Sequence, residues 1–149
     1  MKSLEEINKI RKEKRKELDL RKNTNADTRE KHILVCHGTG CTSSKSPKIL
    51  ENFKKLIEEK HLENVRVIKT GCFGLCAKGP IVIIRPEDVF YAMVTPEDVN
   101  EIVEEHIIKG NIVERLLCKD IDGKKVQKLD ELTFYKKQKR IALKNCRSY

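Results

Sequence analysis

Six cysteines occur in a chain of 149 residues, and four of them fall within two glycine-rich stretches. "CHGTGC" separates Cys36 from Cys41 by four residues, and "CFGLC" separates Cys72 from Cys76 by three. Cysteine pairs this close suit a disulfide framework, a single metal ion, a redox dithiol or an iron–sulfur cluster. A redox dithiol uses C-x-x-C, which the chain lacks. A structural zinc takes four thiolates, usually from tight knuckles, and these spacings sit at the loose end for it. A [2Fe–2S] cluster also takes four thiolates, two on each iron. Its sulfurs are further stabilised by backbone N–H groups, and close approach of a backbone favours residues without a Cβ. Gly38, Gly40, Gly71, Gly74 and Gly79 place five of the chain's seven glycines in these two stretches. The spacing favours a cluster and leaves zinc and thiol redox chemistry open.

The elements around the pairs must bring them together. "HILV" (32–35) is a short β-branched run leading directly into Cys36. "SPKILENFKKLIEEKH" follows the first pair. Ser46 can cap it, Pro47 suits the first helical position, and Ile49, Leu50, Phe53, Leu56 and Ile57 recur at helical spacing. "VRVIKT" (65–70) alternates as a strand does and leads into Gly71 and Cys72. "PIVIIR" (80–85) is a continuous apolar run, as a buried strand requires. "VFYAMV" (89–94) reads as its antiparallel partner. "TPEDVNEIVEEHIIKG" opens with Thr95 as cap, Pro96 at the first position and Asp98 three residues on, and Gly110 is its natural stop. Val99, Ile102, Val103, His106 and Ile107 line one face. The order β-α-β-β-β-α predicts an α/β sandwich of thioredoxin type, with a parallel first β-α-β and a terminal hairpin. Both cysteine pairs then follow the C-terminal ends of the first two strands, where parallel α/β sheets place their ligands.

The rest of the chain bounds the partners. Apolar residues make up 38% and charged residues 37%, so part of the chain is expected to lie outside the core. The longest apolar runs, such as "IVII" (81–84), are far too short to span a membrane. The N-terminus is charged where a signal peptide needs an apolar stretch, so a cytoplasmic location is expected, with cysteines reduced. The net charge of +9 is unevenly spread. Residues 1–31 carry 11 basic and 7 acidic groups, residues 32–110 carry 10 and 11, and residues 111–149 carry 11 and 5. The excess therefore sits in the flanks and not in the cysteine-bearing part. With seven aromatic residues available, this is not the concentrated basic face of a nucleic-acid module, and solvated flanks are expected. The chain divides into a charged helical extension and linker (1–31), a cysteine-bearing domain (32–110) and a basic C-terminal extension (111–149). The first carries a thin apolar stripe of Leu4, Ile7, Ile10 and Leu18.

The cysteine pairs, thirty residues apart within β-α-β-β-β-α, resemble the thioredoxin-like [2Fe–2S] ferredoxin domain. "HILVCHGTGCTSSKSPKIL" and "VIKTGCFGLCAKGPIVIIRPEDVFYAMVTPEDVNEIVEEHI" are similar to the form of that domain at the N-terminus of NADH-binding flavoprotein subunits. Those subunits belong to NADH-dependent and bifurcating [FeFe]-hydrogenases and to relatives of respiratory complex I. The resemblance covers roughly residues 32–117. It implies Cys36, Cys41, Cys72 and Cys76 as ligands of a [2Fe–2S] cluster. It implies one-electron transfer, with a flavoprotein or other iron–sulfur subunit as partner. It continues weakly in "FYKKQKRIALKNC" (134–146), which resembles the connector to a flavin domain. Arg147 stands where a glycine is expected, and the chain reaches Tyr149 with no Gly-rich nucleotide loop. An electron-transfer component with no NADH or flavin site of its own is therefore expected.

Cys118 and Cys146 lie outside a four-ligand set and are expected to be spare thiols. His37 is either a hydrogen-bond partner of a sulfur or an exposed loop residue. His106 is expected to pack on the apolar face of its helix. Phe73 and Leu75 shield the site or pack the loop to the core. Lys45 and Lys78 either offset negative charge at the site or are surface lysines. Two rival functions follow from the same residues: a zinc-stabilised docking module and a thiol-disulfide oxidoreductase.

Overall fold

The structure, a computed structural model, describes residues 3–22, 30–139 and 141, with the side chains of 16–22 excepted. The Leu18 side chain, residues 23–29 of the expected linker, Cys146 and Arg147 lie outside the described residues. Helix α1 (Leu4–Lys22) opens with a reciprocal cap that its S-x-x-E sequence encodes. Ser3 N–H donates to Glu6 Oε2 at 2.9 Å, and Glu6 N–H donates to Ser3 Oγ at 3.2 Å. Leu4, Ile7 and Ile10 are all exposed, so this part of the stripe does not pack on the body.

The expected strand order holds. Strand β1 (Lys31–Cys36) is followed by α2 (Thr39–Ser43), α3 (Ser46–Glu59), β2 (Val65–Thr70), β3 (Val82–Arg85), β4 (Val89–Tyr91) and α4 (Asp98–Glu101). Helix α4 continues as a π-helix over Ile102–Ile108. The sheet order is β2-β1-β3-β4. β1 and β2 are parallel, with Cys36 opposite Thr70, while β3 is antiparallel to both β1 and β4. Thr95 and Asp98 form the expected cap: the Asp98 carboxylate accepts Thr95 N–H and Thr95 Oγ1, each at 2.8 Å.

The sheet alternates its two faces. Ile33, Val35, Val82, Ile84, Val89 and Tyr91 meet Ile49 and Phe53 of α3 and Val99, Ile102 and Val103 of the last helix. Both helices therefore cover the same face. The other face carries Leu34, Cys36, Ile81, Ile83, Phe90 and Ala92. It is covered by Cys118 and Leu132 from the C-terminal segment, with Val126, Leu129 and Tyr135 packed against them. This segment comprises β5 (Cys118–Lys119), β6 (Lys125–Val126) and α5 (Thr133–Lys136). Residues 111–139 are thus not a solvated tail. The apolar run of β3 is buried on both sides, and the second side needs a cover that the two helices do not supply. The segment also covers the free edge of β4, where Ala92 N–H donates to Leu116 O at 2.9 Å and Phe90 N–H to Gln127 O at 2.7 Å.

His106 lies in the core as expected, with a partner that the sequence does not announce. Its Nδ1 is 2.8 Å from the Tyr91 hydroxyl, which also accepts Val113 N–H at 3.0 Å. Burial pushes the imidazole down to about 4, so it is neutral at physiological pH. Tyr91→Phe leaves two buried polar groups without this partner. It is expected to lower the unfolding free energy by about 1–3 kcal/mol, measured by urea denaturation.

Candidate metal centre

The parallel pairing of β1 and β2 sets the two cysteine loops side by side. His37 N–H donates to Thr70 O at 3.1 Å, and Thr70 Oγ1 donates to Val35 O at 3.2 Å. Cys36 is the last residue of β1, and its N–H donates to Ile81 O at 3.0 Å. Gly38 begins the turn into α2, which carries Cys41 in its middle, and Thr42 N–H closes that turn on Gly38 O at 2.9 Å.

Ser46 does not cap α3. The capping position belongs to Lys45, with φ 68°, whose carbonyl accepts Lys48 and Ile49 N–H groups. Ser46 is wholly buried, and its hydroxyl donates to the Cys36 carbonyl. The hydroxyl thus ties the start of α3 to the first cysteine. His37 Nδ1 lies 3.5 Å from the same hydroxyl, so the His37 ring is turned toward Ser46.

The second loop runs through Cys72 and Gly74 into a 3-10 turn over Cys76–Lys78. Gly74 has φ +83°, a left-handed conformation that glycine adopts without strain. Its N–H donates to Cys72 Sγ at 3.3 Å, the kind of N–H···S contact that supports a thiolate bound to metal. Cys72 and Cys76 have their Sγ atoms 3.8 Å apart.

The glycines show how tightly the loops meet. A Cβ on Gly38 would lie 2.9 Å from Cys72 Cβ and 3.3 Å from Cys72 Sγ. One on Gly40 would lie 3.7 Å from Cys76 Sγ, and one on Gly79 would lie 2.7 Å from Cys41 Sγ. Each loop's glycines therefore make room for the other loop's cysteines. Gly71 has no such neighbour within 4 Å.

The four thiols form two pairs. Cys36 and Cys41 are buried, whereas Cys72 and Cys76 are exposed. Burial pushes the Cys41 thiol up to about 12, helped by its hydrogen bond to Cys36 and by the nearby Cys36 and Cys72 sulfurs. Cys76 is raised by its hydrogen bond to Cys72 and by the charge of that neighbour. Such thiols oppose one another's ionisation, and a bound cation is what offsets that cost and displaces the protons. Two irons take two thiolates each, which is the pairing present here. The donor set and its glycine cradle fit a [2Fe–2S] cluster.

Phe73 and Leu75 are half-buried and pack against the face that carries Cys36 and Cys41. Lys45 is exposed. Lys78 is half-buried, and its carbonyl accepts Met93 N–H at 2.9 Å. Cys118 is buried in the same cluster, and burial raises its pKa. It belongs to the cover of the sheet. The tie that sequence reasoning missed is Tyr135, whose hydroxyl donates to the Phe73 carbonyl between Cys72 and Cys76. Among the described residues no helix is long and apolar enough to cross a membrane.

Known proteins resemble this chain in sequence and in fold. The sequence model of the thioredoxin-like [2Fe–2S] ferredoxin family matches residues 22–106. A [2Fe–2S] ferredoxin of Clostridium pasteurianum is 44% identical over 94 residues, which is 57% of this chain and 92% of that protein. A [2Fe–2S] ferredoxin of Aquifex aeolicus is 39% identical over 97 residues, 58% of this chain and 87% of that protein. The crystal structure of the wild-type thioredoxin-like [2Fe–2S] ferredoxin from Aquifex aeolicus superposes with a TM-score of 0.54 at 35% identity, covering 58% of this chain and 94% of that one. With the strand order, the paired thiols and a family match over more than half its length, this chain belongs to the thioredoxin-like [2Fe–2S] ferredoxins.

Proposed function

We propose that the protein is a one-electron carrier whose [2Fe–2S] cluster is held by Cys36, Cys41, Cys72 and Cys76. We further propose that it serves as the electron-transfer component of a cytoplasmic NADH-dependent oxidoreductase or hydrogenase complex. The observation that carries the first part is the interlocking of the loops, with Gly38 against Cys72, Gly40 against Cys76 and Gly79 against Cys41. The cluster supplies a one-electron couple, with potentials on the order of −400 mV in plant-type ferredoxins. The chain's own residues bury one cysteine pair and leave the other exposed, which gives a partner one side from which to approach.

The second part rests on the resemblance of the domain and of residues 134–146 to NADH-binding flavoprotein subunits. A one-electron cluster cannot accept a hydride, so its reduction by NADH needs a flavin in between, and flavin and nicotinamide need phosphate-cradling glycines ahead of a helix. Outside the cysteine loops the sequence has Gly110 and Gly123, too far apart for that. The partner we propose is a flavoprotein or another iron–sulfur subunit.

Two measurements test these parts separately. Protein purified anaerobically from iron-replete cells is expected to carry about two irons and two acid-labile sulfides per chain. Stoichiometric zinc without visible absorption would replace the carrier with a docking module. The loaded chain is expected to stay oxidised with NADH alone and to be reduced when a flavoprotein NADH oxidase module is added, more slowly as salt rises. Direct NADH turnover by the flavin-free chain would contradict the second part.

A further inference from the structure

The family match ends at His106, yet the chain returns to the ligand loop from well beyond it. Helix α5 is fixed at its start by Asp120, whose carboxylate accepts Thr133 N–H at 3.0 Å and Thr133 Oγ1 at 2.6 Å. Leu132, just before it, is buried on the sheet face that carries Cys36 and Cys41. These anchors seat Tyr135, half-buried, with its hydroxyl donating to Phe73 O.

Phe73 C=O and Gly74 N–H are the two ends of one planar peptide unit, and in a trans unit they point in opposite directions. One end is held by Tyr135, and the other donates to Cys72 Sγ at 3.3 Å. Gly74 itself has no side chain and has open space around the position of a Cβ. No side chain at Gly74 therefore helps to hold this plane.

We propose that Tyr135 is a positioning residue for the cluster: its hydroxyl fixes the Phe73–Gly74 peptide plane so that the Gly74 N–H stays on the exposed ligand Cys72. The proposal rests on the assignment of Cys72 as a cluster ligand. An N–H···S bond stabilises negative charge on sulfur, and that charge grows on reduction, so the bond favours the reduced state. A hydrogen bond accepted by the carbonyl also polarises the N–H at the other end of the same amide. The C-terminal segment thereby raises the reduction potential and secures the ligand loop from a part of the chain outside the ferredoxin match.

Tyr135→Phe in the full, cluster-loaded chain removes one oxygen and leaves the ring. Loss of a hydrogen bond of about 1 kcal/mol corresponds to about a fivefold change in equilibrium. Only the part of that energy that differs between the oxidised and reduced states moves the potential, so the midpoint potential is expected to fall, by roughly 40 mV at most, at 59 mV per tenfold for one electron. Iron release to a chelator is expected to be about fivefold faster, on the same energetic ground. An unchanged potential and release rate, with the visible spectrum intact, would overturn the proposal. So would a lowered melting temperature with no change in potential, because a purely structural anchor gives that result. Either outcome leaves the carrier reading standing. Absence of iron and sulfide from the wild-type chain would instead remove the carrier reading, and this proposal with it.

Discussion

Alanine at any one of Cys36, Cys41, Cys72 or Cys76 is expected to abolish the cluster, while Cys118→Ala and Cys146→Ala leave its spectrum unchanged. Cys41 is a buried thiol pushed up to about 12, beside Cys36 and within reach of Cys72. Cys72 and Cys76 lie 3.8 Å apart. Two irons leave no spare ligand among four thiolates, so losing one leaves an iron open to solvent or to exchange. The fold should survive, because each Cys→Ala removes one sulfur; Cys41→Ala carries the largest stability cost, since the Cys41 sulfur is also the hydrogen-bond partner of the buried Ile81 backbone. Cys118 is equally buried but belongs to the cover of the sheet, so its loss is expected to cost stability and not iron. Iron content, visible absorption and thermal melting of the six variants separate these effects. A Cys118 or Cys146 variant that lost iron while a loop variant kept it would break the ligand assignment.

Gly79→Ala is expected to have nearly the same consequence without touching a ligand. Its Cβ would stand 2.7 Å from Cys41 Sγ and 3.3 Å from Cys76 O. Cys41 is 2% exposed and has little room to yield, and the other obstacle is backbone. Forcing a methyl into a packed site costs about 1–3 kcal/mol, here directed at the sulfur that must be placed. The variant should fold but retain little iron. Gly38→Ala meets Cys72 Cβ at 2.9 Å, but Cys72 is exposed, so a smaller loss is expected there. Gly71→Ala meets nothing within 4 Å and should keep full occupancy. Equal iron content in the Gly79 and Gly71 variants would show that the loops do not interlock as described.

Much of this was legible in the sequence because local signals and the global fold agree. The strands carry β-branched runs, the long α3 carries an unbroken apolar face, and both cysteine pairs follow strands that had to be parallel. The Thr95–Asp98 cap was readable from spacing alone. Ser46 was misread because a serine before Pro47 fits a cap by every local rule. Its burial and its bond to the Cys36 carbonyl depend on a chain reversal that no local pattern encodes. The C-terminal segment was read as charged flank because its lysines dominate its composition. Of its apolar residues, Val113, Leu116, Cys118 and Leu132 are buried, while Ile121, Phe134 and Ile141 are exposed. The apolar run leading through β3 (81–84) was the available signal, since a strand buried on both faces demands a second cover. Tyr135 had no signal at all: a hydroxyl meeting a carbonyl 62 residues away in sequence is a tertiary fact.

The most direct measurement of the central claim is an anaerobic potentiometric titration of the full chain followed by EPR. A four-cysteine [2Fe–2S] site takes up one electron and passes from an EPR-silent state to a spin-half state. The expected result is a single one-electron transition at low potential, with a spin-half signal approaching one per chain. Iron-loaded protein that gave no spin-half signal on full reduction, or that took up two electrons in a thiol–disulfide step, would contradict it.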